Sequence, residues 1–440
     1  MKKLVSIFLL IILIANAAIV FGLTENDINC PSAILIDGDS GEILFSKNPK
    51  AKMYPASLTK ILTGLVILED CNLDDIVTID KSAVNTEPSI MGLKSGEKLT
   101  VEQLLYGLMV KSANDAARAL AIYHSGSYEK FAEAMNEKAK SLGAMESNFV
   151  TPNGLHNSEH YTTAYDMSLI AMTAMKNEKF RELVKTTIYE IPATNKDENV
   201  KKLYNKNRFF NGTGSKYKID YKGKTIDIKY EIVDGIKTGY TSAARQCFAG
   251  SAYKDNKRLI SIVFKGEGKD VWIDTRTLLD YGFENFTPEM LLEKNTLVET
   301  YQVEGEKNTK INLYARDNIY TMVNNNYDKS QIKAITSVDK ITLPVEKGSS
   351  LGTVAYYFED HKLGETDLVS ATDITGQDII AKETVYPEAS KSTQPKWMKY
   401  LIIFGKVILT IFVWRIIMTM INLKKRKKKK RRKSGIKKDA

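Results

Sequence analysis

The chain has 440 residues, with 63 lysines and arginines against 53 aspartates and glutamates, a formal net charge of +10 and a pI near 9.0. This length predicts two or three domains, each large enough to bury a core. A hydrophobic fraction of 43% and a charged fraction of 26% exclude a disordered chain and a protein with many membrane spans. The three cysteines, Cys30, Cys71 and Cys247, exclude a disulfide-framework fold, and their spacing predicts no pairing.

The first predicted element is a secretory signal peptide over residues 1–22. Lys2 and Lys3 precede a largely apolar run over residues 4–14, and the small residues Ala15-Asn16-Ala17 follow it. A basic start, an apolar stretch and a small-residue cleavage site are typical of an exported chain. An uncleaved signal anchor is the alternative interpretation of the same pattern.

An α+β domain is predicted over residues 24–287. Alternating apolar runs on either side of a turn predict two hairpins, over residues 32–45 and 246–264. The helical pattern falls mainly between the two hairpins, over residues 55–69, 101–123, 164–175 and, after the second hairpin, 271–281. Strands at both ends with helices between them predict one antiparallel sheet flanked by helices.

Short alternating runs over residues 290–375 predict a small β-rich domain. Residues 376–396 are polar and contain two prolines, which is typical of a linker or stalk. A membrane helix is predicted over residues 397–423, because its apolar part from residue 401 to 423 would be roughly 34 Å long as a helix.

Two charges inside that apolar segment raise an alternative, a helix that lies in the membrane surface. Lys406 and Arg415 fall on opposite helical faces, whereas a surface helix needs its charges on one face. A spanning helix can direct the two side chains toward opposite surfaces, so we favour a single span. The basic tail over residues 424–440 carries +11, while residues 23–395 carry −7. The positive-inside rule then predicts a cell-membrane protein with its body outside and its tail in the cytoplasm.

The segment Ser57-Leu58-Thr59-Lys60 opens a strongly apolar predicted helix. Its hydroxyl and amine lie one helical turn apart, and a lysine that burial keeps neutral can take the serine proton. The pattern S-x-x-K alone is weak evidence, because it occurs eight times in the chain and an ordinary helix N-terminus also contains it. Ser57 and Lys60 are nevertheless the candidate nucleophile and base.

Two further motifs have a functional and an ordinary interpretation. Ser112-Ala113-Asn114 supplies a hydroxyl for proton relay and an amide for a substrate carbonyl, or simply caps a helix. Lys237-Thr238-Gly239 lies just before the second hairpin, where a cation and a hydroxyl on a strand bind a carboxylate and Gly239 permits close approach. An ordinary strand end with a turn glycine is the alternative for the second motif.

In combination, the three motifs follow the order and spacing of the serine penicillin-recognising enzymes. The chain resembles the D-alanyl-D-alanine carboxypeptidases of the low-molecular-mass penicillin-binding proteins. The likeness extends around the motifs in YPASLTKILTGLVILE, LKSGEKLTVEQLLYGLMVKSANDAARALA, NFVTPNGLHNSEHYTTAYDMSLIA, VDGIKTGYT and LLDYGF. The resemblance is close over residues 30–285 and looser over the β-rich segment. The polar, glycine-containing stretch over residues 211–229 departs from it as an insertion, and the anchor looks more like a true span.

The resemblance implies a penicillin-binding/β-lactamase-like transpeptidase fold and a serine D-Ala-D-Ala carboxypeptidase. Its partners would be peptidoglycan stem peptides and β-lactam antibiotics, with no metal or organic cofactor. Ser57, Lys60 and Ser112 would be catalytic. The substrate-binding residues would be Asn114, Lys237, Thr238, Gly239 and Tyr240, with the backbone N–H groups of Ser57 and Tyr240 forming an oxyanion hole.

Four alternatives remain at this point. A slow penicillin-binding sensor of wall peptides would share the same residues. A class A β-lactamase would need a Glu-x-x-Leu-Asn stretch, which is absent between Asn114 and Lys237. His156-Asn157-Ser158-Glu159-His160 matches a zinc pattern, but the preceding Pro152-Asn153-Gly154 predicts a loop rather than the helix this pattern needs. Nucleic-acid binding by the tail is inconsistent with export of the body, so no nucleic-acid partner is expected.

Overall fold

The structure is a computed structural model that describes residues 22–84, 86–303, 310–324, 329–358 and 361–375. The predicted signal peptide up to residue 21, the stalk, the membrane helix and the basic tail lie outside these residues. Among the helices of the described ranges, none has the length and apolar character that a membrane crossing requires.

The α-helices are α1 (Thr59–Asp70), α2 (Val101–Tyr106), α3 (Asn114–Ser125), α4 (Tyr128–Ser141), α5 (Ala164–Lys176), α6 (Glu178–Lys185), α7 (Arg208–Asn211) and α8 (Asp270–Asn285). The strands are β1 (Ser32–Asp37), β2 (Ile43–Lys47), β3 (Ile76–Thr78), β4 (Lys98–Thr100), β5 (Ile188–Ile191), β6 (Lys201–Tyr204), β7 (Lys218–Tyr221), β8 (Lys224–Asp227), β9 (Val233–Thr241), β10 (Arg245–Lys254), β11 (Lys257–Gly266), β12 (Phe286–Leu292), β13 (Leu297–Gln302), β14 (Lys310–Ala315), β15 (Ile319–Asn324), β16 (Ile332–Val338), β17 (Ser350–Phe358) and β18 (His361–Ser370).

A five-stranded antiparallel sheet with the order β2-β1-β11-β10-β9 forms the centre of the α+β part. The β1–β2 hairpin joins the β10–β11 hairpin through the β1–β11 pairing, in which Leu35 lies opposite Ser261. This arrangement confirms the predicted sheet built from both ends of the domain. It also leaves β9, which carries Lys237-Thr238-Gly239, at an edge.

Helices cover both faces of the sheet. All six residues of β1 are buried, which explains why this strand is almost continuously apolar rather than alternating. Leu35 belongs to a core cluster with Leu278 and Leu279 of α8, whereas Ile34 and Ile36 belong to the cluster that contains α1 and α5. The apolar face of α1 is therefore fixed in the larger core, and the same core holds Ala56 and Leu58, the two neighbours of Ser57.

The prediction of one continuous helix over residues 101–123 is wrong. The chain forms α2, then a π-helical turn over Gly107–Lys111, and α3 begins only at Asn114. Ser112 between them has the left-handed φ of 60°, which a right-handed helix cannot contain. The carbonyl of Gly107 accepts a 3.0 Å hydrogen bond from the Ala113 N–H, so the break is closed by backbone groups.

Several elements were not predicted from the sequence. They include α4, α6 and the two-stranded ribbons β3–β4 and β5–β6. The 211–229 insertion forms a further two-stranded ribbon, β7–β8, after a short 3-10 turn at Ser215–Tyr217. The three cysteines are all free thiols.

The chain divides into two compact units. Of the described residues, the first unit contains those up to Asn295 and those in Ala315–Asp339 and Ser350–Leu368, while the second contains those in Thr296–Tyr314, Lys340–Ser349 and from Val369 to residue 375. Within the first unit, β12 pairs with β15 and β16 pairs with β17, and within the second β13 pairs with β14. The predicted β-rich character of the C-terminal region is confirmed.

Candidate active site

Ser57 lies in a single 3-10 turn, Ala56–Leu58, that leads directly into α1. Leu58 and Ile61 beside it are fully buried, so the turn is held by the core although Ser57 lines a cavity. Lys60 is one turn further along, and its Nζ lies 3.0 Å from Ser57 Oγ. The structure thus brings together the hydroxyl and the amine that the sequence indicated.

Lys60 is buried with 0% exposure, and its three polar contacts are all with uncharged acceptors. Besides Ser57 Oγ, its Nζ contacts Asn114 Oδ1 at 2.8 Å and the carbonyl oxygen of Asn153 at 2.6 Å. Burial, and then the nearby charges of Lys237 and Lys206, hold the Lys60 pKa well below its ordinary value.

A neutral lysine matches this set of contacts. Its Nζ has two N–H donors and one lone pair. The two oxygens of Asn114 and Asn153 each take one donor, which leaves the lone pair directed at the Ser57 hydroxyl. The arrangement therefore provides a base already hydrogen-bonded to a nucleophile.

Ser112 and Asn114 lie on the other side of Lys60, at the break between α2 and α3. Both are almost fully buried and both line the cavity that contains Ser57. The left-handed conformation of Ser112 allows the chain to place a hydroxyl and, two residues later, an amide at one spot. The S-x-N spacing predicted the residues, but not the break that orients them.

Asp115, which the sequence did not single out, holds the loop opposite Asn114. Its buried carboxylate accepts the backbone N–H groups of Met91 at 3.1 Å, Gly92 at 3.0 Å and Leu93 at 3.1 Å. The N–H of Asn114 in turn donates to the carbonyl of Ser89 at 2.6 Å. Asp115 is therefore a positioning residue, because it acts on the site through this loop.

We expect Asp115→Asn to lower the free energy of unfolding by about 2 kcal/mol, because an amide replaces the charge-assisted acceptor of three backbone N–H groups. Denaturant unfolding measures this value. The matched control is Asp74→Asn, since Asp74 is exposed in a surface loop and should change the stability by less than about 0.5 kcal/mol. Equal effects of the two substitutions would contradict this role of Asp115.

Asn153 and Gly154 are further site residues that sequence reasoning missed. Asn153 supplies the backbone carbonyl to Lys60, and Gly154 adopts a φ of +77°. A Cβ on Gly154 would lie 1.8 Å from the carbonyl oxygen of Ala56, so glycine is required where this loop meets the Ser57 turn. The sequence Pro152-Asn153-Gly154 predicts a loop, but it does not indicate that this loop meets the Ser57 turn.

The strand β9 borders the nucleophile. A Cβ on Gly239 would lie 2.9 Å from Leu58 Cδ1, 3.0 Å from the Pro55 oxygen and 3.2 Å from the Ser57 nitrogen. The absence of a side chain thus lets the strand backbone run beside the Ser57 turn. Tyr240 follows with 62% of its surface exposed. As an edge strand, β9 presents one side of its backbone for pairing with an extended peptide.

Lys237 is buried on the same strand, and Thr238 lines the cavity. The Lys237 ammonium donates a long hydrogen bond, 3.3 Å, to the Thr238 carbonyl. Burial, followed by repulsion from Lys206, lowers the pKa of Lys237 to about 7. A carboxylate that entered the site would supply the counter-charge.

The cavity around Ser57 has a volume of about 990 Å³. Its polar and cationic lining comprises Ser57, Ser89, Ser112, Asn114, Asn153, His156, Lys206, Arg208, Lys216, Thr238, Tyr240, Thr241, Ser242, Gln246 and Lys269, and its apolar lining includes Leu155, Ile228, Val271 and Trp272. No aspartate or glutamate of the described residues lines it. The site is therefore suited to an anionic, partly apolar ligand.

The two histidines of the H-x-x-E-H pattern lie in a loop, as predicted from the residues before them. His160 is buried, and its Nδ1 accepts the N–H of Val150 at 2.9 Å while its Nε2 lies 2.8 Å from Thr59 Oγ1. Burial, then Lys60 and His156, lower the His160 pKa to about 4. Both ring nitrogens are thus in contact with protein atoms, and the contact with Thr59 Oγ1 holds the ring against the first turn of α1.

Comparisons with known proteins place this site in a family. A profile of the D-alanyl-D-alanine carboxypeptidases, the S11 peptidases, matches residues 19–268, more than half of the chain. A second profile, the C-terminal domain of penicillin-binding protein 5, matches residues 286–376. D-alanyl-D-alanine carboxypeptidase DacF of Bacillus subtilis is 32% identical over 376 residues, which cover 84% of this chain and 90% of the relative.

Solved structures give the same relationship. Penicillin-binding protein 5 from Haemophilus influenzae aligns with a TM-score of 0.66 and 28% identity, covering 80% of this chain and all of that protein. A D-alanyl-D-alanine carboxypeptidase from Mycobacterium tuberculosis aligns with a TM-score of 0.53 and 30% identity, covering 60% of this chain and 95% of that one. The chain therefore belongs to the D-alanyl-D-alanine carboxypeptidase family of low-molecular-mass penicillin-binding proteins, and it is a serine-type peptidase.

Proposed function

We propose that Ser57 is the nucleophile with which this serine D-Ala-D-Ala carboxypeptidase removes the terminal D-alanine from peptidoglycan pentapeptides. The observation that carries the proposal is the contact between Ser57 Oγ and the fully buried Lys60 amine, 3.0 Å apart. Burial keeps Lys60 able to accept a proton, so Ser57 gains nucleophilicity without a histidine.

Acylation then proceeds by attack of Ser57 Oγ on the carbonyl carbon between the two D-alanines. The hydroxyl proton passes to Lys60 Nζ, and the carbonyl oxygen becomes an oxyanion that the N–H groups of Ser57 and Tyr240 stabilise. Ser112 relays a proton to the departing nitrogen as the C–N bond breaks, which releases free D-alanine. Water next attacks the ester on Ser57 and restores the serine hydroxyl with a carboxylate product.

Substrate binding follows from the charges of the cavity. Lys237 and Thr238 hold the terminal carboxylate, Asn114 positions the substrate amide, and Gly239 lets the peptide backbone approach the edge of β9. A β-lactam presents a reactive amide and a carboxylate in a similar arrangement, so it acylates Ser57 and becomes a covalent inhibitor.

The pH dependence of kcat/KM should follow the protonation of Lys237. Because binding of the carboxylate requires the protonated amine, we expect kcat/KM to fall as the pH rises above about 7, the pKa of Lys237 in the free enzyme. Lys206→Gln removes a repelling charge and should move this alkaline limb to higher pH. Lys224→Gln, on the exposed β8, is the matched control and should leave the limb in place. A limb that stays fixed in Lys206→Gln would contradict the assignment.

The function is tested by D-alanine release from a pentapeptide that ends in D-alanyl-D-alanine, with the full chain and its Ser57→Ala variant. We expect steady release by the native chain and none by the variant. Penicillin labelling without D-alanine release would instead indicate a wall-peptide sensor, and fast turnover of penicillin would indicate a β-lactamase. Either of these outcomes would contradict the proposal.

We also propose that the enzyme works on the outer face of the cell membrane, held by a single C-terminal span. The basis is the sequence: an N-terminal signal pattern, a 23-residue apolar segment from 401 to 423, a tail of +11 and a body of −7. Protease treatment of sealed cells should digest the body and spare an epitope placed on the tail. Digestion of the tail epitope would contradict this topology.

A further inference from the structure

The cavity holds more positive charge than one terminal carboxylate needs. Lys206, Arg208, Lys216 and Lys269 line the cavity, and Lys237 is buried on β9 next to the lining residue Thr238. In the described part of the chain none of these five cations forms an ion pair with an aspartate or glutamate.

The additional charges are arranged around the 211–229 insertion, where the turn before the β7–β8 ribbon and Ile228 after it line the cavity. Lys216 and Tyr217 come from the short turn that opens this ribbon, and Arg208 comes from α7 just before it. The Arg208 guanidinium lies 4.8 Å from the centre of the Tyr217 ring, and Lys216 Nζ lies 5.8 Å from it. Two cations thus share one aromatic ring at the cavity wall.

This wall is a built structure rather than a loose loop. Ile219 and Ile228 are buried in the core cluster that contains Phe209 and Trp272. Two tyrosines add polar anchors, since the Tyr221 hydroxyl donates to Asp280 Oδ2 at 2.7 Å and the Tyr230 hydroxyl donates to Asp280 Oδ1. The position of the ribbon is therefore fixed before a ligand arrives, which lowers the entropic cost of binding.

The cations differ in the hydrogen bonds that they already make within the protein. Lys269 Nζ donates to the Lys218 carbonyl at 2.5 Å, and Lys206 Nζ donates to Ser89 Oγ at 2.7 Å. Arg208 makes one long hydrogen bond, 3.3 Å to Asn211 Oδ1, and Lys216 has the Tyr217 ring beside it. Arg208 and Lys216 are thus the two cations best placed to bind an anionic group of the ligand.

We propose that Arg208 and Lys216 form a specificity subsite for a second carboxylate on the peptide, upstream of its D-alanyl-D-alanine terminus. The proposal rests on the proposed function and extends it, because it assigns the insertion a role in selecting acidic peptides. A side-chain carboxylate in the acyl part of the substrate would meet the guanidinium and the ammonium. The apolar surface of Tyr217 and Trp272 would cover the chain between them.

The test uses two pairs of peptides that differ in a single charge. They are N-acetyl-L-glutamyl-D-alanyl-D-alanine and N-acetyl-L-glutamyl-L-alanyl-D-alanyl-D-alanine, each with its L-glutaminyl counterpart. With the native chain we expect kcat/KM for the glutamyl peptide to exceed that for the glutaminyl peptide by about fivefold in at least one pair, in keeping with the strength of partly exposed ion pairs. The ratio should decrease as salt is added.

Lys216→Ala and Arg208→Gln should each reduce this ratio to about twofold or less, whereas Lys224→Ala on the same ribbon should keep it. Labelling of Ser57 by fluorescent penicillin checks that each variant retains a formed site. Equal kcat/KM values for the glutamyl and glutaminyl peptides of both pairs, or a ratio that survives in Lys216→Ala, would overturn the subsite alone. If the native chain releases D-alanine from neither peptide of either pair, the proposed function itself is contradicted.

Discussion

Replacement of Lys60 by glutamine should slow acylation of Ser57 by about a thousandfold, the middle of the range for loss of a general base. Glutamine keeps two N–H donors for Asn114 Oδ1 and the Asn153 carbonyl, but it has no basic lone pair for the Ser57 hydroxyl. The rate of labelling by a fluorescent penicillin measures the effect.

The same substitution, although it slows acylation, should not lower the stability of the protein. Because burial lowers the pKa of Lys60, the native state at neutral pH holds this amine with fewer protons than the unfolded chain does. The lysine therefore opposes folding at pH 7, and the free energy of unfolding should stay the same or rise in Lys60→Gln. Activity at the cost of stability is typical of a catalytic group.

Lys60→Arg serves as the second variant. Arginine keeps a positive charge that it cannot give up near neutral pH, so it tests the need for a neutral base separately from the need for hydrogen bonds. We expect acylation to be about as slow as in Lys60→Gln. Labelling of either folded variant at a rate within tenfold of the native chain would contradict the role of Lys60.

The second large effect is expected at Gly154. Alanine there would meet the carbonyl oxygen of Ala56 at 1.8 Å, and that oxygen belongs to the turn that carries Ser57. Since backbone must move to relieve the overlap, we expect a loss of about 3 kcal/mol or more in the free energy of unfolding and about a hundredfold slower acylation. Denaturant unfolding and penicillin labelling measure the two quantities.

Gly126 provides a matched control for that substitution. It has the same φ of +77°, but a Cβ at Gly126 meets nothing within 4 Å. Gly126→Ala therefore carries only the cost of the left-handed conformation, about 1–2 kcal/mol, and should acylate at the native rate. If the two variants lost equal stability and activity, backbone strain alone would explain both and the close approach at Gly154 would have no role.

The sequence predicted the sheet well because its strands have distinctive patterns. The apolar run in β1 and the two hairpins with polar turns indicated the strand pairing that the structure contains. The β7–β8 ribbon was missed, because its short strands alternate weakly and owe their position to contacts with α8, such as that between Tyr221 and Asp280.

The active site, too, was predicted from the sequence only in part. The motif residues were predicted by type and order, and Ser57, Ser112, Asn114, Thr238 and Gly239 line one cavity in the structure. Lys60 lies behind Ser57 and contacts its Oγ, and Lys237 is buried on β9 next to Thr238. The left-handed Ser112 was not predicted, because the surrounding residues are good helix formers and the break is imposed by tertiary contacts. Asn153 was missed since it contributes a backbone carbonyl, which any residue type possesses.

The most direct test of Ser57 as the nucleophile is peptide mapping by mass spectrometry after reaction of the full chain with penicillin. We expect a single covalent adduct on the peptide that contains Ser57, and none in Ser57→Ala. In Ser112→Ala the adduct should form more slowly but at the same residue. An adduct on any other residue of the native chain, or undiminished labelling of Ser57→Ala, would contradict the assignment of Ser57.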